Sequence, residues 1–343
     1  MNLHLPTYSG PIHRRRLAAA VASLGIAALA FPAGSLANQN AVDGVSASVK
    51  HGTLEVKGSS RADSLALRLK AGDPSTVQVD VGNDGSADFL APSSQLREIA
   101  VRSGAGNDNV RIDDSNGAFT DSIPTTIAGG PGDDTLSGGA GAETFYGGSG
   151  NDTVIGGKGN DTAYLGAGND TFVWNPGDGS DTIEGQDGTD TMLFNGANAA
   201  EKVTLSADSG HLKFVRDVGN VTMDTHDVER VDFNALGGAD HVTVNDLTGT
   251  DVTNVNLDLA GTLGGSTGDG AVDNVTVNGT NGNDTINVAG NGSGADVTGL
   301  AAATSIVHAD PTDALAVDSL AGENFVFATG VFGMQVSING ALI

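Results

Sequence analysis

The stretch that decides the fold is Gly129-Gly130-Pro131-Gly132-Asp133-Asp134-Thr135-Leu136-Ser137, because its pattern returns every nine residues. Four further units follow without a gap, over residues 138–146, 147–155, 156–164 and 165–173. The sixth residues of the five units are Asp134, Glu143, Asp152, Asp161 and Asp170. The eighth residues are Leu136, Phe145, Val154, Ala163 and Phe172. A fixed period of this kind indicates a repeat architecture, in which each unit packs mainly on its neighbours.

Outside these five units the pattern weakens but does not disappear. A two-residue insertion around Trp174-Asn175-Pro176 precedes two more units, which place Asp181 and Asp190 at the sixth position. Fainter copies surround Asp108 and Asp284. Helical periodicity is nearly absent and glycines interrupt every candidate helix, so short strands fit the remaining sequence better. We therefore expect an all-β protein.

Composition excludes several classes of protein. The chain has 343 residues, 51 of them glycine, with a formal net charge of −26 and no cysteine. Disulfides, zinc-thiolate sites and cysteine catalysis are excluded together. The excess of 42 acidic over 16 basic residues argues against nucleic acid or anionic lipid as a partner. Because the acids recur at regular spacing among apolar residues, they favour cation binding over disorder.

The geometry of one unit explains why a cation is needed. Its glycine-rich half predicts a turn, and its last three residues predict a short strand with the middle side chain inward. Two units make one flat coil, so stacked coils place Asp134, Asp152 and Asp170 in one column and Glu143 and Asp161 in the opposite one. Carboxylates about 5 Å apart repel by about 3 kcal/mol at an effective dielectric constant near 20. Carboxylates together with backbone carbonyls form an all-oxygen ligand set, which suits Ca²⁺ better than Mg²⁺ or Zn²⁺.

These units resemble the RTX (repeats-in-toxin), or hemolysin-type, calcium-binding family. The resemblance implies a parallel β-roll, a calcium-binding β-solenoid, with several Ca²⁺ ions between stacked turns. It implies that Asp134, Asp152, Asp161 and Asp170 supply carboxylates. It implies carbonyl ligands from the turn glycines Gly130, Gly132, Gly148, Gly150, Gly157, Gly159, Gly166 and Gly168. Glu143 departs from the family pattern by an extra methylene, and Asp181 and Asp190 follow the insertion, so these three are secondary ligand candidates.

Weaker metal candidates lie outside the repeats. Asp108 and Asp284 belong to isolated copies, where a strand-capping turn without metal competes with a metal site. Asp80, Asp84 and Asp88 surround a glycine turn that resembles a single calcium loop. That loop has Ala91 where an EF-hand has its acidic twelfth residue, so a solvated turn is favoured.

We expect four segments along the chain. Residues 1–37 run from basic (His13 to Arg16) through apolar (Leu17 to Phe31) to small residues, the order of an export signal peptide. An N-terminal β-rich region over 38–125, the calcium-binding β-roll over 126–195 and a C-terminal β-rich region with degenerate repeats over 196–343 follow. The flanking regions are expected to be irregular β-solenoid or β-sandwich-like, and no later stretch is apolar enough to span a bilayer.

Two functions from different classes remain open at this stage. The first is a secreted or cell-surface calcium-binding protein with a structural role, whose partner, such as a surface polysaccharide or matrix, no motif identifies. The second is a secreted enzyme, a polysaccharide-acting β-helix or a hydrolase, that uses the repeats as a folding and export module. No catalytic motif is visible, which favours the first. A membrane-damaging toxin is disfavoured because the long apolar or amphipathic segment needed for insertion is missing.

Overall fold

The computed structural model describes residues 41–343, and the proposed export signal over residues 1–37 lies outside this range. The described chain is all-β. Its only helical segments are three short 3₁₀ turns, Ser93–Gln95, Asp114–Asn116 and Val218–Asn220. None of the helices among residues 41–343 has the length and apolar character needed to cross a bilayer.

Twenty-nine strands cover the described residues. The first eight are β1 (Ser46–Lys50), β2 (Thr53–Lys57), β3 (Ser64–Lys70), β4 (Asp73–Val81), β5 (Phe89–Pro92), β6 (Glu98–Arg102), β7 (Asn109–Asp113) and β8 (Thr125–Pro131). The repeat block contains β9 (Thr135–Ser137), β10 (Glu143–Ser149), β11 (Thr153–Ile155), β12 (Thr162–Gly168), β13 (Thr171–Trp174), β14 (Thr182–Gly188) and β15 (Thr191–Asn195). Next come β16 (Lys202–Asp208), β17 (His211–Arg216), β18 (Val221–His226), β19 (Arg230–Asn234), β20 (His241–Val244), β21 (Asn254–Asp258) and β22 (Asn274–Asn278). The last seven are β23 (Thr285–Gly290), β24 (Ala295–Thr298), β25 (Ala303–Val307), β26 (Ala314–Asp318), β27 (Phe325–Thr329), β28 (Gln335–Ile338) and β29 (Ala341–Leu342).

The strands form two long sheets that face each other. A 15-stranded sheet has the order β1-β2-β6-β8-β10-β12-β14-β18-β17-β16-β20-β22-β26-β28-β29, and a 14-stranded sheet has the order β27-β23-β24-β25-β21-β19-β15-β13-β11-β9-β7-β3-β4-β5. Successive strands of the repeat block alternate between the two sheets and pair in parallel. This arrangement confirms the expected parallel β-solenoid. Both sheets continue beyond the repeat block into the flanking regions.

The core between the sheets is built from the eighth residue of each unit. Leu136, Phe145, Val154, Ala163 and Phe172 are all fully buried. The sequence predicts a three-residue strand in every unit, and β9 and β11 have that length. In the other sheet β10, β12 and β14 each extend over seven residues, because pairing continues into the following glycine turn.

The two-residue insertion is absorbed without disturbing the stack. Thr162 pairs with Thr182 and Thr171 with Thr191, a spacing of 20 residues in place of 18. The indole N–H of Trp174 donates to the carbonyl of Gly179 at 2.7 Å, which fixes the enlarged turn. The Trp174 ring stacks on Phe194 with ring centroids 4.0 Å apart, so the insertion adds an aromatic layer to the core.

Regular coiling ends after β14 and β15. In the larger sheet, β16, β17 and β18 pair with one another in antiparallel fashion, and β18 pairs in parallel with β14. In the other sheet, β23, β24 and β25 form a second antiparallel segment. The flanks are therefore a solenoid interrupted by hairpins.

Candidate metal centre

The sixth residue of each unit lies where a turn meets a strand. In four of the five units the following Thr begins the strand, and in the second unit Glu143 itself does. The acid therefore lies at the edge of the core, directly beside the turn. Asp134, Asp152, Asp161 and Asp170 are at most 2% exposed, and so is Glu143. The expected alignment is present, since these residues form two columns along the stack.

A hydrogen bond joins successive members of each column. The backbone N–H of Asp134 donates to Oδ1 of Asp152 at 2.7 Å, and that of Asp152 donates to Oδ1 of Asp170 at 2.7 Å. In the opposite column the N–H of Glu143 donates to Oδ1 of Asp161 at 2.7 Å. One oxygen of each accepting carboxylate is thus satisfied by the preceding coil, which partly offsets the repulsion between neighbouring acids.

Similar hydrogen bonds extend both columns and form a third one in the C-terminal region. We call the three columns ladders. The first ladder consists of Asp63, Asp108, Asp134, Asp152, Asp170, Asp190 and Glu229, joined by N–H to carboxylate bonds of 2.7–2.8 Å. The second ladder consists of Glu143, Asp161 and Asp181. The third ladder consists of Glu201, Asp240, Asp273 and Asp313, with bonds of 2.8–2.9 Å.

The other carboxylate oxygen is the unusual feature of the site. Within residues 41–343 it is buried and has no hydrogen-bond partner in Asp108, Asp134, Asp152, Asp170 and Asp190 of the first ladder, in all three members of the second, and in Glu201 and Asp240 of the third. Buried polar atoms in folded proteins are normally paired, and a buried unpaired carboxylate oxygen is costly. A bound cation would satisfy these oxygens.

Burial raises the pKa of these carboxyl groups. Desolvation is the largest cause throughout, the ladder hydrogen bonds oppose it, and neighbouring carboxylates add to it in most of the groups. The pKa of Asp161 rises to about 9, those of Asp152, Asp181 and Asp190 to about 7, and those of Asp134 and Asp170 to about 6. Without a cation, a large share of these groups would hold a proton at neutral pH.

Glycine is the first residue of the first four units, and Leu165 takes that place in the fifth. The glycines leave room beside the carboxylate of their own unit. A Cβ placed on Gly147 would lie 2.6 Å from Oδ2 of Asp152, and one on Gly156 would lie 2.6 Å from Oδ2 of Asp161. Any side chain at these positions would fill the space in front of that oxygen. The unpaired oxygens and the glycine gaps together fit a hard divalent cation such as Ca²⁺, which takes only oxygen ligands.

The turn glycines let the backbone of one turn stack closely on the turn before it. Gly130, Gly132, Gly148, Gly150, Gly157, Gly159, Gly166 and Gly168 all have a positive φ, between 85° and 148°. A Cβ on Gly148 would collide with the carbonyl oxygen of Gly130, and one on Gly166 with that of Gly148. The carbonyls of Gly130 and Gly148 therefore face the next turn.

Replacing Gly148 by alanine tests this close stacking. We expect the free energy of unfolding to fall by about 3 kcal/mol or more, since left-handed strain and a backbone clash add together. Gly249 is the matched control, because its φ is 94° and a Cβ there would meet nothing within 4 Å. Gly249→Ala should cost only the backbone strain of about 1–2 kcal/mol. Urea unfolding of both variants in saturating calcium measures the difference, and equal losses would contradict the stacking argument.

The secondary candidates fall into two groups. The first group makes the same backbone N–H to carboxylate bonds as the central acids and consists of Asp108, Asp181 and Asp190. The structure does not bring Asp284 to another acid: both of its oxygens accept hydrogen bonds from Thr280. Glu143 uses one oxygen to accept from the N–H of Gly139 at 2.9 Å and keeps the other unpaired.

The Asp80 loop has protein partners for its carboxylates. Asp80 is fully buried and forms an ion pair with Arg68 at 2.8 Å. Asp84 accepts from the N–H of Ser86, and Asp88 accepts from that of Val81, both at 2.8 Å. The three acids are not gathered around a common point, which agrees with the favoured interpretation of a turn.

Several ladder members were not expected as site residues. They are Asp63, Glu229, Glu201, Asp240, Asp273 and Asp313. A short signal would have found them, because each acid directly precedes a strand whose second residue is apolar and buried. Asp63 with Leu65 and Asp273 with Val275 are examples.

The third ladder differs because a buried arginine side chain pairs with one of its acids. The guanidinium group of Arg216 forms an ion pair with Oε1 of Glu201 and lies 5.1 Å from the centroid of the Trp174 ring. Both charged side chains are buried. Arg216 is thus a fixed positive charge at one end of a column of acids.

Fold and site together define a β-roll with stacked carboxylate and glycine turns of the kind that holds calcium. The family model for four copies of the RTX calcium-binding nonapeptide repeat matches residues 125–154, 146–173 and 177–198. These residues are therefore RTX calcium-binding repeats, and the resemblance seen in the sequence is confirmed. No curated protein matches the chain.

Proposed function

We propose that this is a secreted calcium-binding protein whose repeat block completes its folding when it binds several Ca²⁺ ions outside the cell. Its role would be structural or surface-associated. The observation that carries the proposal is the row of buried, unpaired carboxylate oxygens beside glycine gaps. Residues 126–195 contain eleven acids and a single basic residue, Lys158, so the protein offers few positive charges of its own there.

The proposed ligands follow from this arrangement. Asp134, Asp152, Asp161, Asp170, Asp181 and Asp190 would supply carboxylates, with Asp108 and Glu143 at the ends of the regular stack. The glycine carbonyls of the turns would complete the oxygen ligand sets. Ca²⁺ at about millimolar concentration outside cells matches the affinities of extracellular calcium modules, so the sites would fill after export. The RTX repeats and the N-terminal segment order support a secreted or cell-surface location.

Removing calcium from the full-length protein tests the folding part of the proposal. We expect chelator at pH 7.5 to reduce the far-ultraviolet β signal and to make residues 125–198 sensitive to protease, because uncompensated buried carboxylates destabilise the stack. Added Ca²⁺ should restore both properties, and Mg²⁺, which keeps its waters, should not. A β spectrum and a cleavage pattern unchanged by chelator would refute the proposal.

A further inference from the structure

Outside the ladders, one group of side chains has the composition of a transition-metal site. Within residues 41–343, the only group of three or more His, Asp or Glu side chains whose ligand atoms all lie within 4.8 Å of one another is His226, Asp227 and Asp251. Glu184 stands beside them, with Oε2 3.4 Å from Nδ1 of His226. The four residues come from three parts of the chain, because His226 and Asp227 are adjacent.

The fold holds these residues in place. His226 ends β18 and pairs in register with Glu184 on β14, so their side chains are neighbours on the outer face of the sheet. Asp227 follows in the left-handed region, with a φ of 51°, and its N–H donates to Oδ2 of Asp251 at 3.1 Å. Asp251 lies in the loop between β20 and β21. The group therefore brings together β14 of the repeat block, β18 of the antiparallel segment and the loop between β20 and β21.

The distances from the ring nitrogens of His226 to the surrounding carboxylates are longer than those of charge-assisted hydrogen bonds. Nδ1 of His226 is 3.4 Å from Glu184 Oε2 and from Asp227 Oδ2, and Nε2 is 3.9 Å from Asp251 Oδ2. Charge-assisted bonds are about 2.7–2.9 Å long. The other His–Asp pairs have that length: Nδ1 of His211 is 2.7 Å from Asp224, and Nδ1 of His308 is 2.8 Å from Asp258. His226 is surrounded by acids without bonding to any of them.

Charge also points to a divalent cation. Three carboxylates surround one imidazole, and among residues 41–343 no lysine or arginine forms an ion pair with Glu184, Asp227 or Asp251. A protonated His226 would neutralise only one of the three negative charges. A divalent ion bound to neutral His226 would neutralise two and draw the ligands together.

We propose that Nδ1 of His226, Asp227 and Glu184 form a zinc site, with Asp251, which accepts from the backbone N–H of Asp227 on the Nε2 side of the ring, as a positioning residue. Two ligands bound tetrahedrally to Zn²⁺ at 2.0–2.2 Å are about 3.4 Å apart, which is the separation of His226 Nδ1 from its two nearest carboxylate oxygens. The imidazole nitrogen favours Zn²⁺ over Ca²⁺ or Mg²⁺, which prefer oxygen. The ion would fasten β14 to the end of β18, beside the 245–253 loop, at the point where regular coiling ends.

Calorimetric titration of ZnCl₂ into the full-length protein, in buffer that keeps calcium saturating, tests the site separately from the ladders. We expect His226→Gln and Asp227→Asn each to bind one equivalent of Zn²⁺ fewer than the wild type, or to bind it at least ~10-fold more weakly. His241→Gln is the matched control, since His241 is exposed at the start of β20 and belongs to no such group. The control should bind as the wild type does.

A second readout addresses geometry. Co²⁺ in place of Zn²⁺ should give the intense visible absorption of a tetrahedral site in the wild type and in His241→Gln, and lose it in His226→Gln. Zinc binding that is unchanged in His226→Gln, or equally reduced in His241→Gln, would overturn the proposal. So would a wild-type protein that binds no zinc in saturating calcium.

Discussion

Without calcium, the protein is expected to be more stable at pH 5 than at pH 8, the reverse of ordinary acid denaturation. The pKa of Asp161 is raised to about 9 and those of Asp152, Asp181 and Asp190 to about 7, from a usual value of 3.8. Burial without a counter-charge is the main cause in each case. The folded state therefore holds more protons than the unfolded state between about pH 4 and pH 9.

The sign of the pH dependence follows directly. A group whose pKa is higher when folded contributes stability below its unfolded pKa and loses that contribution as pH rises through the folded pKa. Each unit of pKa difference corresponds to about 1.4 kcal/mol. Several such groups titrate together, so the calcium-free protein should lose several kcal/mol of stability between pH 5 and pH 8.

Calcium reverses this dependence, because the ion binds ionised carboxylates and competes with the protons. Binding at pH 6–7 should release protons, and affinity should fall as pH falls, by about tenfold per unit for each proton displaced. Calorimetry in two buffers with different heats of ionisation counts the released protons. Urea unfolding at pH 5 and pH 8, with calcium and with chelator, measures the two opposite slopes.

A different outcome would show that the acids are paired in some other way. If calcium binding released no protons at pH 6.5, the carboxylates would already be ionised without the ion. If the calcium-free protein became more stable from pH 5 to pH 8, the buried oxygens would have protein partners in solution. Either result would contradict the ladder account.

The sequence was sufficient for the central part of the fold because the period there is constant. Five units of nine residues place every second acid on the same side of a two-unit coil, and the structure puts Asp134, Asp152 and Asp170 in one column. The eighth residues are inward for the same reason. Side chains alternate between the two faces of a strand, and this alternation can be deduced without knowledge of the tertiary structure.

The extension of the first ladder could not be predicted by counting residues. The intervals between its successive members are 45, 26, 18, 18, 20 and 39 residues. Turns absorb insertions without changing the strand register, so equal spacing in space corresponds to unequal spacing in sequence. An acidic residue still directly precedes the strand, as Glu229 does before β19.

The hydrogen bond that joins successive ladder members could not be predicted from the sequence either. Treating the acids as bare stacked charges suggests a cation between every pair. In the structure one oxygen of each accepting carboxylate takes a backbone N–H from the neighbouring coil, which leaves a single unpaired oxygen for a metal. This distinction depends on side-chain orientation at the turn, which a one-dimensional pattern does not contain.

Replacing Asp152 by asparagine should change stability in opposite directions with and without calcium. An asparagine Oδ1 can keep the ladder bond, as Asn324 does naturally when it accepts from the N–H of Asp284 at 2.8 Å. In chelator at pH 8 the variant removes a buried charge at the expense of a buried amide, and we expect it to be about 1–2 kcal/mol more stable. In calcium at about 100 times the dissociation constant, loss of one site should cost about 2.7 kcal/mol.

Asp133→Asn is the matched control because it makes the same charge change beside the same ladder. Asp133 is exposed at the fifth position of its unit, where Asn107, Asn151 and Asn169 stand in neighbouring coils. Its Oδ1 accepts from the N–H of Asn151 at 2.8 Å, a bond that asparagine can also accept. We expect changes within about 0.5 kcal/mol in both conditions, as for other surface substitutions.

The pair of variants separates metal binding from simple structural support. If Asp152 only held neighbouring coils together, Asp152→Asn would shift the urea midpoint equally in calcium and in chelator. If net charge alone mattered, Asp133→Asn would behave as Asp152→Asn does. A sign reversal confined to Asp152→Asn requires a carboxylate that is unfavourable when uncompensated and favourable when an ion is bound. That combination is the physical basis for a repeat stack that stays loose where calcium is scarce and becomes rigid where it is abundant.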